Sequence, residues 1–487
     1  MADTRGKMRE GDGEMTRAAV FWQGGDPRWQ PRDLTPLTST DRADVCVVGG
    51  GFTGLWAALH MKRLAPATDI VLIEREYCGA GASGRNGGWV NGWDDLLPKL
   101  VSRFGKDAAL WLVDASRASV DDIRETVDAG GIDCDLAFQG GLTVALSPAQ
   151  VDSVLGAARL AQEMGRDDLF RILDRDEAVA LSGAPRAQAG ALILRAGSVQ
   201  PALLVQGLRR LVAAAGVRIY EATPMVGLQR GLPAVVETPS GSVTADRVVL
   251  ASGARLALVP ELRRTIFILP SHVVATASSR DALDRLGWVG GRPFSDGRTA
   301  VHYAQRSSDD RVVFGRGGGR LGWGGRVIPA HFHDAREIAS IVTDMRDMLP
   351  ATRDLAVEWR WGGPLERTQH GIPWVGVLGK HRNVHYGMGY SGNGVSASNL
   401  IGRTLASVVL GVGDDYAQSP LVSDPPAYLP PEPFRSVGAR AVRSAIERCE
   451  IVEDAGRTPD PVSRALRRGL DVTVPKGPTL WRREEID

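Results

Sequence analysis

Glycines in the spacing G-x-G-x-x-G, within residues 49–54, are the clearest chemical signal in this chain. They follow an apolar run at residues 45–48 and precede a helical pattern that starts at Leu55. In such a strand–turn–helix unit, the first glycine permits a tight turn, the second lets the backbone approach a pyrophosphate, and the third lets helix and strand pack closely. The N–H groups at the start of the helix would face the phosphates. The spacing therefore predicts a dinucleotide site formed by Gly49, Gly51, Phe52, Thr53 and Gly54.

An acidic residue twenty positions after the last of these glycines narrows the choice of ligand. A second apolar strand is predicted at residues 69–73, and it ends on Glu74. A carboxylate at this place would accept hydrogen bonds from ribose hydroxyls and would repel a 2′-phosphate, which favours FAD or NAD over NADP. The alternative is a glycine-rich turn in an ordinary α/β protein, which would leave the position of Glu74 a coincidence.

Two further glycine-rich segments have the character of binding loops. The first is GAGASGRNGG at residues 79–88, and the second is YSGNG at residues 390–394, directly before a predicted helix that starts at Val395. A glycine loop that leads into a helix presents N–H donors and the positive end of the helix dipole to an electron-rich group. For YSGNG taken alone, an exposed helix-capping turn is the alternative interpretation.

Composition excludes several classes of function. The chain has 487 residues, with 58 Lys and Arg against 57 Asp and Glu, so its net charge of +1 gives no reason to expect nucleic acid or an anionic membrane as a partner. The four cysteines are scattered without metal-ligand spacing, and no metal site is predicted. No signal peptide and no membrane span is evident. We therefore expect a soluble protein of the reducing cytoplasm.

The elements that must position these loops alternate along the chain with segments of another kind. The fold class predicted is α/β (α+β), with a Rossmann-type dinucleotide domain interleaved with an antiparallel-sheet substrate domain, followed by a C-terminal helical extension. The predicted dinucleotide domain comprises residues 41–94, 191–265 and 364–420, and the predicted substrate domain comprises residues 95–190 and 266–363. The remaining parts are an N-terminal arm at 1–40, and a Pro-rich linker with a C-terminal helix at 421–487.

Five segments together resemble the FAD-dependent D-amino-acid oxidase and glycine oxidase superfamily: GGGFTGLWAALHMK, Glu74, GAGASGRNGG, VVLASGA and YGMGYSGNG. The resemblance extends from about Phe21 onward. The GASGRNGG loop, taken with the tail PPEPFRSVGARAVRSAIERCEIVEDAGR, is similar to a narrower branch that holds γ-glutamylputrescine oxidoreductases and aminophosphonate oxidoreductases. The segment at residues 301–326 resembles the aminophosphonate group.

The resemblance implies FAD as the cofactor. It implies that the loop at 79–88 crosses the pyrophosphate and ribityl chain, with contacts from Ala82, Ser83, Arg85, Asn86, Gly87 and Gly88. It also implies that the adenine meets the backbone of Val226 and that Gly253 belongs to the site. The pyrimidine edge of the flavin would meet Gly389, Ser391, Gly392, Asn393, Gly394 and Val395. Donors aimed at this edge would stabilise the negative charge that arrives on reduction.

Side chains that could meet a substrate lie on the inserted segments. His302 and Tyr303 are adjacent on a predicted strand, so they face opposite sides and only one can point to the flavin. His272 and Trp361 are further candidates, although a buried structural role is the alternative for each. By the resemblance, Glu366, Thr368 and His370 also lie near the site.

A second glycine-rich stretch at residues 317–322 also satisfies G-x-G-x-x-G, but no helix follows it, which argues against a second dinucleotide. We expect it to form a loop on which Arg316, Arg320 and Arg326 converge. Guanidinium groups bind a carboxylate or a phosphonate through two donors, so such a loop would suit an anionic substrate. Solvated surface arginines are the alternative.

These observations predict a flavoprotein that oxidises the C–N bond of a small amine by hydride transfer to flavin N5. The preferred substrate is an aminophosphonate or another anionic amine, with oxygen or another electron acceptor as the second partner. The alternatives are a γ-glutamylputrescine-type or amino-acid oxidase, and an FAD-binding subunit that serves a partner complex without turnover of its own. Assembly as a homo-oligomer stays open.

Overall fold

A computed structural model describes residues 19–31, 33–423 and 428–468. Along the chain, strands of one sheet with a parallel centre alternate with strands of a second, largely antiparallel sheet. In chain order the strands are β1 (Thr40–Val48), β2 (Ile70–Ile73), β3 (Trp89–Asn91), β4 (Gly141–Ala145), β5 (Phe170–Leu173), β6 (Ala189–Ile193), β7 (Ala196–Ser198), β8 (Arg218–Tyr220), β9 (Gly227–Gln229), β10 (Ala234–Thr238), β11 (Gly241–Leu250), β12 (Ile266–Thr276), β13 (Phe294–Asp296), β14 (His302–Arg306), β15 (Val312–Gly317), β16 (Val357–Thr368), β17 (Trp374–Leu378) and β18 (Val384–Met388).

The α-helices pack on these strands and between them. In chain order they are α1 (Phe21–Gly24), α2 (Phe52–Leu64), α3 (Leu97–Phe104), α4 (Lys106–Ala129), α5 (Val151–Glu163), α6 (Arg175–Ser182), α7 (Pro201–Ala214), α8 (Arg280–Leu286), α9 (Ala335–Met348), α10 (Val395–Leu410), α11 (Phe434–Asp454) and α12 (Pro461–Arg468). No helix in the described part of the chain is long and apolar enough to cross a membrane.

The first sheet has a parallel centre. Its order is β17-β18-β11-β1-β2-β8, and β1 pairs in parallel with both β2 and β11. Residues 45–48 of β1 are buried because helices cover the sheet, and this explains why the strand reads as a continuous apolar run. The carboxyl ends of β1, β2 and β11 therefore meet at one edge, where ligands of open α/β sheets bind.

The second sheet is largely antiparallel and is built from the segments between those strands. Its order is β16-β12-β15-β14-β13-β4-β6-β5, with β13 and β4 as its parallel pair. The long strands β12 and β16 pair from Ile266 opposite Thr368 to Thr276 opposite Val357. The predicted interleaving of a Rossmann-type sheet with an antiparallel sheet is thus confirmed.

One predicted boundary differs from the observed strand pairing. The prediction assigned residues from 191 onward to the dinucleotide fold, but β6 pairs with β4 and β5 in the second sheet. The reason is that a short apolar run carries no mark of its partner strands, because its neighbours are chosen by long-range packing. The other predicted domain limits remain predictions.

The first and last helical segments that the structure describes flank this body. In α1, Phe21 and Trp22 are buried, and Trp22 Nε1 donates a hydrogen bond to Asn86 O at 2.8 Å. At the other end, α11 begins after Pro433 and ends at Asp454, and the predicted C-terminal helix is therefore present. Of the predicted N-terminal arm and C-terminal extension, residues 1–18, 32, 424–427 and 469–487 lie outside the described residues.

Candidate functional site

A cavity of about 2860 Å³ lies where the two sheets meet. Its wall includes the turns that follow β1, β2 and β11, and on the other side it includes residues of β12, β14, β15 and β16. Pockets for drug-sized ligands measure roughly 300–1,000 Å³, so this cavity has room for a dinucleotide together with a substrate.

The glycine turn after β1 is shaped by close backbone approaches. Gly49 has a φ of +117°, and a Cβ placed on it would lie 2.5 Å from Ala251 O. A Cβ on Gly54 would lie 1.9 Å from Gly49 O. Helix α2 begins directly after Gly51, and Ser83 Oγ accepts a hydrogen bond from Phe52 N at 2.9 Å. The turn therefore brings the positive end of α2 and the loop at 79–88 to the same side of the cavity.

Glu74 lies at the end of β2 and lines the cavity. Its carboxylate accepts hydrogen bonds from Gly50 N at 2.7 Å and Glu76 N at 3.0 Å. Burial raises the pKa of Glu74, whereas these two backbone donors act in the opposite direction. The side chain thus orders the glycine turn directly, and its contact with a ribose remains a prediction.

A second helix presents its N terminus to the cavity. The loop before α10 runs through three residues with positive φ, Gly389, Ser391 and Gly392, and the N-cap residue Gly394 supplies no side-chain cap. Thr53 Oγ1 and Tyr390 Oη lie 2.6 Å apart and join the starts of α2 and α10. The N termini of α2 and α10, each with partial positive charge, therefore face the same cavity. Such an arrangement suits a cofactor that carries a pyrophosphate and a ring that gains negative charge on reduction.

Most of the predicted cofactor residues line this cavity, and three do not. A Cβ on Gly54, Gly88 or Gly389 would lie within 2.3 Å of a neighbouring atom, so these three serve the packing behind the wall. The lining residues are Gly49, Gly51, Phe52, Thr53, Glu74, Ala82, Ser83, Arg85, Asn86, Gly87, Val226, Gly253, Ser391, Gly392, Asn393, Gly394 and Val395. The uncapped helix ends and the glycine cradle fit FAD.

Two of these lining residues, Arg85 and Val226, already form hydrogen bonds with other parts of the protein. Arg85 is buried and donates to Ala80 O at 3.2 Å and to Gly362 O at 2.9 Å, so it fastens the loop at 79–88 to β16. Val226 N donates to Glu237 O at 2.8 Å. A backbone contact from Val226 to adenine would therefore have to use its carbonyl.

Tyr303 and His302 face opposite sides of β14. A Cβ on Gly87 would lie 2.5 Å from the Tyr303 ring, so this ring packs against the predicted cofactor loop. Ser271 Oγ donates to Arg316 O at 3.1 Å, and Tyr303 Oη therefore donates to Ser271 Oγ at 2.8 Å. Burial raises the pKa of Tyr303 to about 12, so the phenol stays protonated at neutral pH.

His302 is held between two carboxylates. Its Nδ1 lies 2.8 Å from Asp296 Oδ2, and its Nε2 lies 3.0 Å from Asp344 Oδ2. Burial alone would lower the pKa of His302, but Asp296 and Asp344 raise it above its usual value. Arg298 Nη1 also lies 2.7 Å from Nδ1, so both ring nitrogens of His302 are tied into an ion-pair network, which is a poor arrangement for a proton acceptor.

The three arginines of the predicted anion clamp do not converge as expected. Arg316 is neutralised by Glu337 at 2.9 Å and Asp344 at 2.7 Å. The Arg320 side chain is 65% exposed, with Asp334 at 3.7 Å, and Arg326 does not line the cavity. The expectation failed because the spacing on a glycine loop gives no information about carboxylates supplied by α9.

His272 and Trp361 lie outside the cavity lining. His272 Nε2 lies 2.9 Å from Ala330 O, and burial lowers the pKa of this histidine, so it is a neutral donor to a backbone carbonyl. Trp361 is fully buried, and its Nε1 donates to Arg85 O at 2.8 Å. Both residues support the loops around the cavity, and the structural alternative fits them better than contact with a substrate.

Glu366 is an ionisable group of the cavity wall to which the sequence assigned no role. It is 5% exposed, and among the described residues no Lys, Arg or His forms an ion pair with it. Burial raises the pKa of Glu366 to about 7, while the N–H groups of Gly389 and Tyr390 act in the opposite direction. The resemblance placed Glu366 near the site, but its raised pKa follows from its position between the loops after β11 and β18.

This raised pKa predicts a pH dependence of stability. Because the pKa of Glu366 in the folded state exceeds that of the unfolded chain, its contribution to stability is complete below pH 4.5 and is lost as the pH rises through about 7. Glu366→Gln cannot ionise, so we expect the urea midpoint of this variant to rise relative to the wild type across that interval. Glu358→Gln, on the same strand but exposed, is the control. A difference between Glu366→Gln and wild type that does not change with pH would contradict the assignment.

Comparisons with known proteins agree with this geometry. The profile of the family described as FAD dependent oxidoreductase (DAO) matches residues 44–408. The gamma-glutamylputrescine oxidoreductase of Escherichia coli is 30% identical over 426 residues, which cover 86% of this chain and 96% of that protein. The probable oxidoreductase OrdL of Haemophilus influenzae is 26% identical over 394 residues, covering 79% of this chain and 87% of that protein.

The fold itself has solved counterparts. The crystal structure of glycine oxidase from Geobacillus kaustophilus superposes with a TM-score of 0.64 at 22% identity, covering 79% of this chain and 99% of that chain. The predicted superfamily, the similarity to γ-glutamylputrescine oxidoreductase and the predicted cofactor are confirmed. The family profile spans both interleaved sheets and the glycine turn, so this chain belongs to the DAO family of FAD-dependent oxidoreductases.

Proposed function

We propose that this protein oxidises the C–N bond of a small amine that carries an anionic group. The observation that carries the proposal is one cavity that contains both the FAD cradle and a compartment lined with charged side chains from the second sheet. The names of the relatives support an amine as the substrate, because they include gamma-glutamylputrescine oxidoreductase and glycine oxidase. Bound FAD supplies the acceptor for a hydride that leaves the carbon next to nitrogen.

The protein's own part is to position the amine and to control its charge. The amine must be neutral, because its lone pair supports the positive charge that develops as the hydride leaves. Tyr303 presents its ring beside the loop at 79–88, and Glu366 provides a carboxyl group that changes charge near neutral pH. Orientation by such groups contributes to the rate without covalent chemistry by the protein.

Two substrates are candidates within this class. An aminophosphonate is favoured by the resemblance of residues 301–326, and γ-glutamylputrescine is favoured by the relative that aligns over 86% of this chain. Both carry an amine and an anionic group, so they share the chemistry that the compartment must recognise.

The experiment is anaerobic mixing of the purified flavoprotein with single amines. The panel contains an aminoalkylphosphonate, γ-glutamylputrescine, glycine and a neutral alkylamine, and bleaching of the flavin absorbance is followed together with the mass of the product. We expect rapid bleaching with an anionic amine and formation of the matching aldehyde or keto acid. An enzyme that stays yellow with every member, although dithionite reduces it, would contradict the proposal. If air reoxidises the bleached enzyme, it is an oxidase. If only an added dye reoxidises it, it is a dehydrogenase.

A further inference from the structure

The C-terminal helix α11 covers one side of the cavity. It lies beyond residues 44–408, which are the part shared with the family. One side of the helix lines the cavity, and the residues on which the argument rests are Arg440, Arg443, Glu450 and Asp454. Glu450 Oε1 accepts hydrogen bonds from Thr299 N at 2.8 Å and Ala300 N at 3.3 Å, so the helix is attached to the loop before β14. The cavity wall is therefore completed by a segment outside the common fold.

Alternating charges connect α11 to the second sheet and return to α11. From one end, Arg443 pairs with Glu337 at 2.6 Å, and Glu337 pairs with Arg316 at 2.9 Å. Arg316 in turn pairs with Asp344 at 2.7 Å. We call the whole series the ionic chain; its members are Arg443, Glu337, Arg316, Asp344, His302, Asp296, Arg298 and Asp454, and all of them line the cavity.

The second half of the ionic chain closes it on the same helix. His302 bridges Asp344 and Asp296, and Arg298 lies 3.1 Å from Asp296 Oδ2. Arg298 also pairs with Asp454, which lies three turns of α11 beyond Arg443. With His302 protonated, four cations alternate with four carboxylates. The ionic chain is therefore neutral, and each of its cations is already paired with a carboxylate rather than available to a substrate.

Two other arginines of the cavity wall, Arg336 and Arg440, lie outside the ionic chain. Arg440 precedes Arg443 by three residues on α11, and Arg336 directly precedes Glu337 on α9. Both line the cavity and both are exposed. Neither forms an ion pair with a carboxylate in the part of the chain that the structure describes. Because Arg443 bonds Glu337 at 2.6 Å, α11 and α9 are joined at a point one turn of α11 from Arg440 and one residue from Arg336.

We propose that Arg336 and Arg440 form a subsite for the distal oxyanion of the amine, either a carboxylate or a phosphonate. This inference rests on the proposed function. Guanidinium groups from two helices provide paired donors for such an anion, and an exposed guanidinium keeps its donors available until the anion enters. The subsite places the selection of the anionic end on α9 and α11.

The test compares Arg440→Gln and Arg336→Gln with the wild type in steady-state kinetics. The substrates are an anionic amine and a neutral amine of equal chain length, chosen among those that the enzyme turns over. We expect KM for the anionic amine to rise about tenfold or more in each variant, with kcat and the KM of the neutral amine changed less than about twofold, because a charged hydrogen bond is lost only with the anion. Arg448→Gln is the matched control, since Arg448 is exposed on the same helix but does not line the cavity.

The outcomes separate this subsite from the proposed function. Equal KM values for the anionic amine in wild type and Arg440→Gln would overturn the subsite even if amines are oxidised. If no amine reduces the flavin, an alkylphosphonate and an alkylcarboxylate without an amine are titrated instead, followed by the flavin spectrum. Weaker binding by both arginine variants, but not by Arg448→Gln, supports the subsite, and unchanged binding overturns it. The two titrations also show which oxyanion is preferred.

Discussion

We expect the Gly54→Ala protein to be purified without bound FAD. The added Cβ would lie 1.9 Å from Gly49 O and 3.2 Å from Val47 Cγ1. Both are parts of β1 and its turn, and neither is the movable end of a long side chain. The start of α2 must therefore shift away from the strand, which removes the pyrophosphate contact of the turn. The measurement is the ratio of flavin to protein after gel filtration.

Gly156→Ala provides the control for this substitution. Gly156 lies within α5, and a Cβ placed there meets no atom within 4 Å. We expect this variant to retain the flavin content of the wild type, because alanine is favoured in helices and nothing has to move. Stoichiometric FAD in Gly54→Ala would show that the close approach at the turn is not required for binding.

Removal of the Asp94 carboxylate has the largest expected effect on stability. Asp94 is fully buried and pairs with Arg117 at 2.7 Å, and the Arg117 side chain is 7% exposed. Asp94→Ala removes the buried carboxylate and leaves Arg117 only the half-exposed Asp168 at 3.2 Å, so we expect the free energy of unfolding to fall by about 3 kcal/mol, the lower end of the range for a broken buried pair. Residues 95, 96 and 99 directly after Asp94 line the cavity, so we also expect weaker FAD retention. Urea denaturation followed by fluorescence measures the first effect.

An exposed ion pair on the neighbouring helix α5 provides the control for Asp94→Ala. Asp152 pairs with Arg159 at 3.1 Å, and the Asp152 side chain is 93% exposed. We expect Asp152→Ala to lower the free energy of unfolding by less than about 1 kcal/mol, since solvent screens the pair. Similar losses in both variants would mean that the Asp94–Arg117 pair is not isolated from water.

The predictable part of this molecule is the part encoded over short distances in the sequence. The strand, turn and helix at residues 45–64 and the acidic end of β2 are contiguous, and their spacing reflects local backbone geometry. The loop at 390–394 could be recognised for the same reason. Alternation along β14 correctly placed His302 and Tyr303 on opposite sides, because the period of a strand is two.

The unpredictable part depends on partners that are distant in the chain. Arg316 was expected to face an anionic substrate, but Glu337 and Asp344 of α9 neutralise it. The environment of Glu366 arises from two loops that precede and follow it by tens to over a hundred residues. A single sequence gives residue types at such positions and not their neighbours, so the charge state of the cavity wall required the structure.

The return of the ionic chain to α11 has a consequence for biogenesis. Protein chains fold broadly from the N terminus during synthesis, so both sheets can form before the residues of α11 leave the ribosome. Until then the flavin compartment stands open along that side, and a large dinucleotide can enter without passing the arginine-lined edge. Docking of α11 then completes that side of the cavity wall, so we expect the prosthetic group to load before this helix docks.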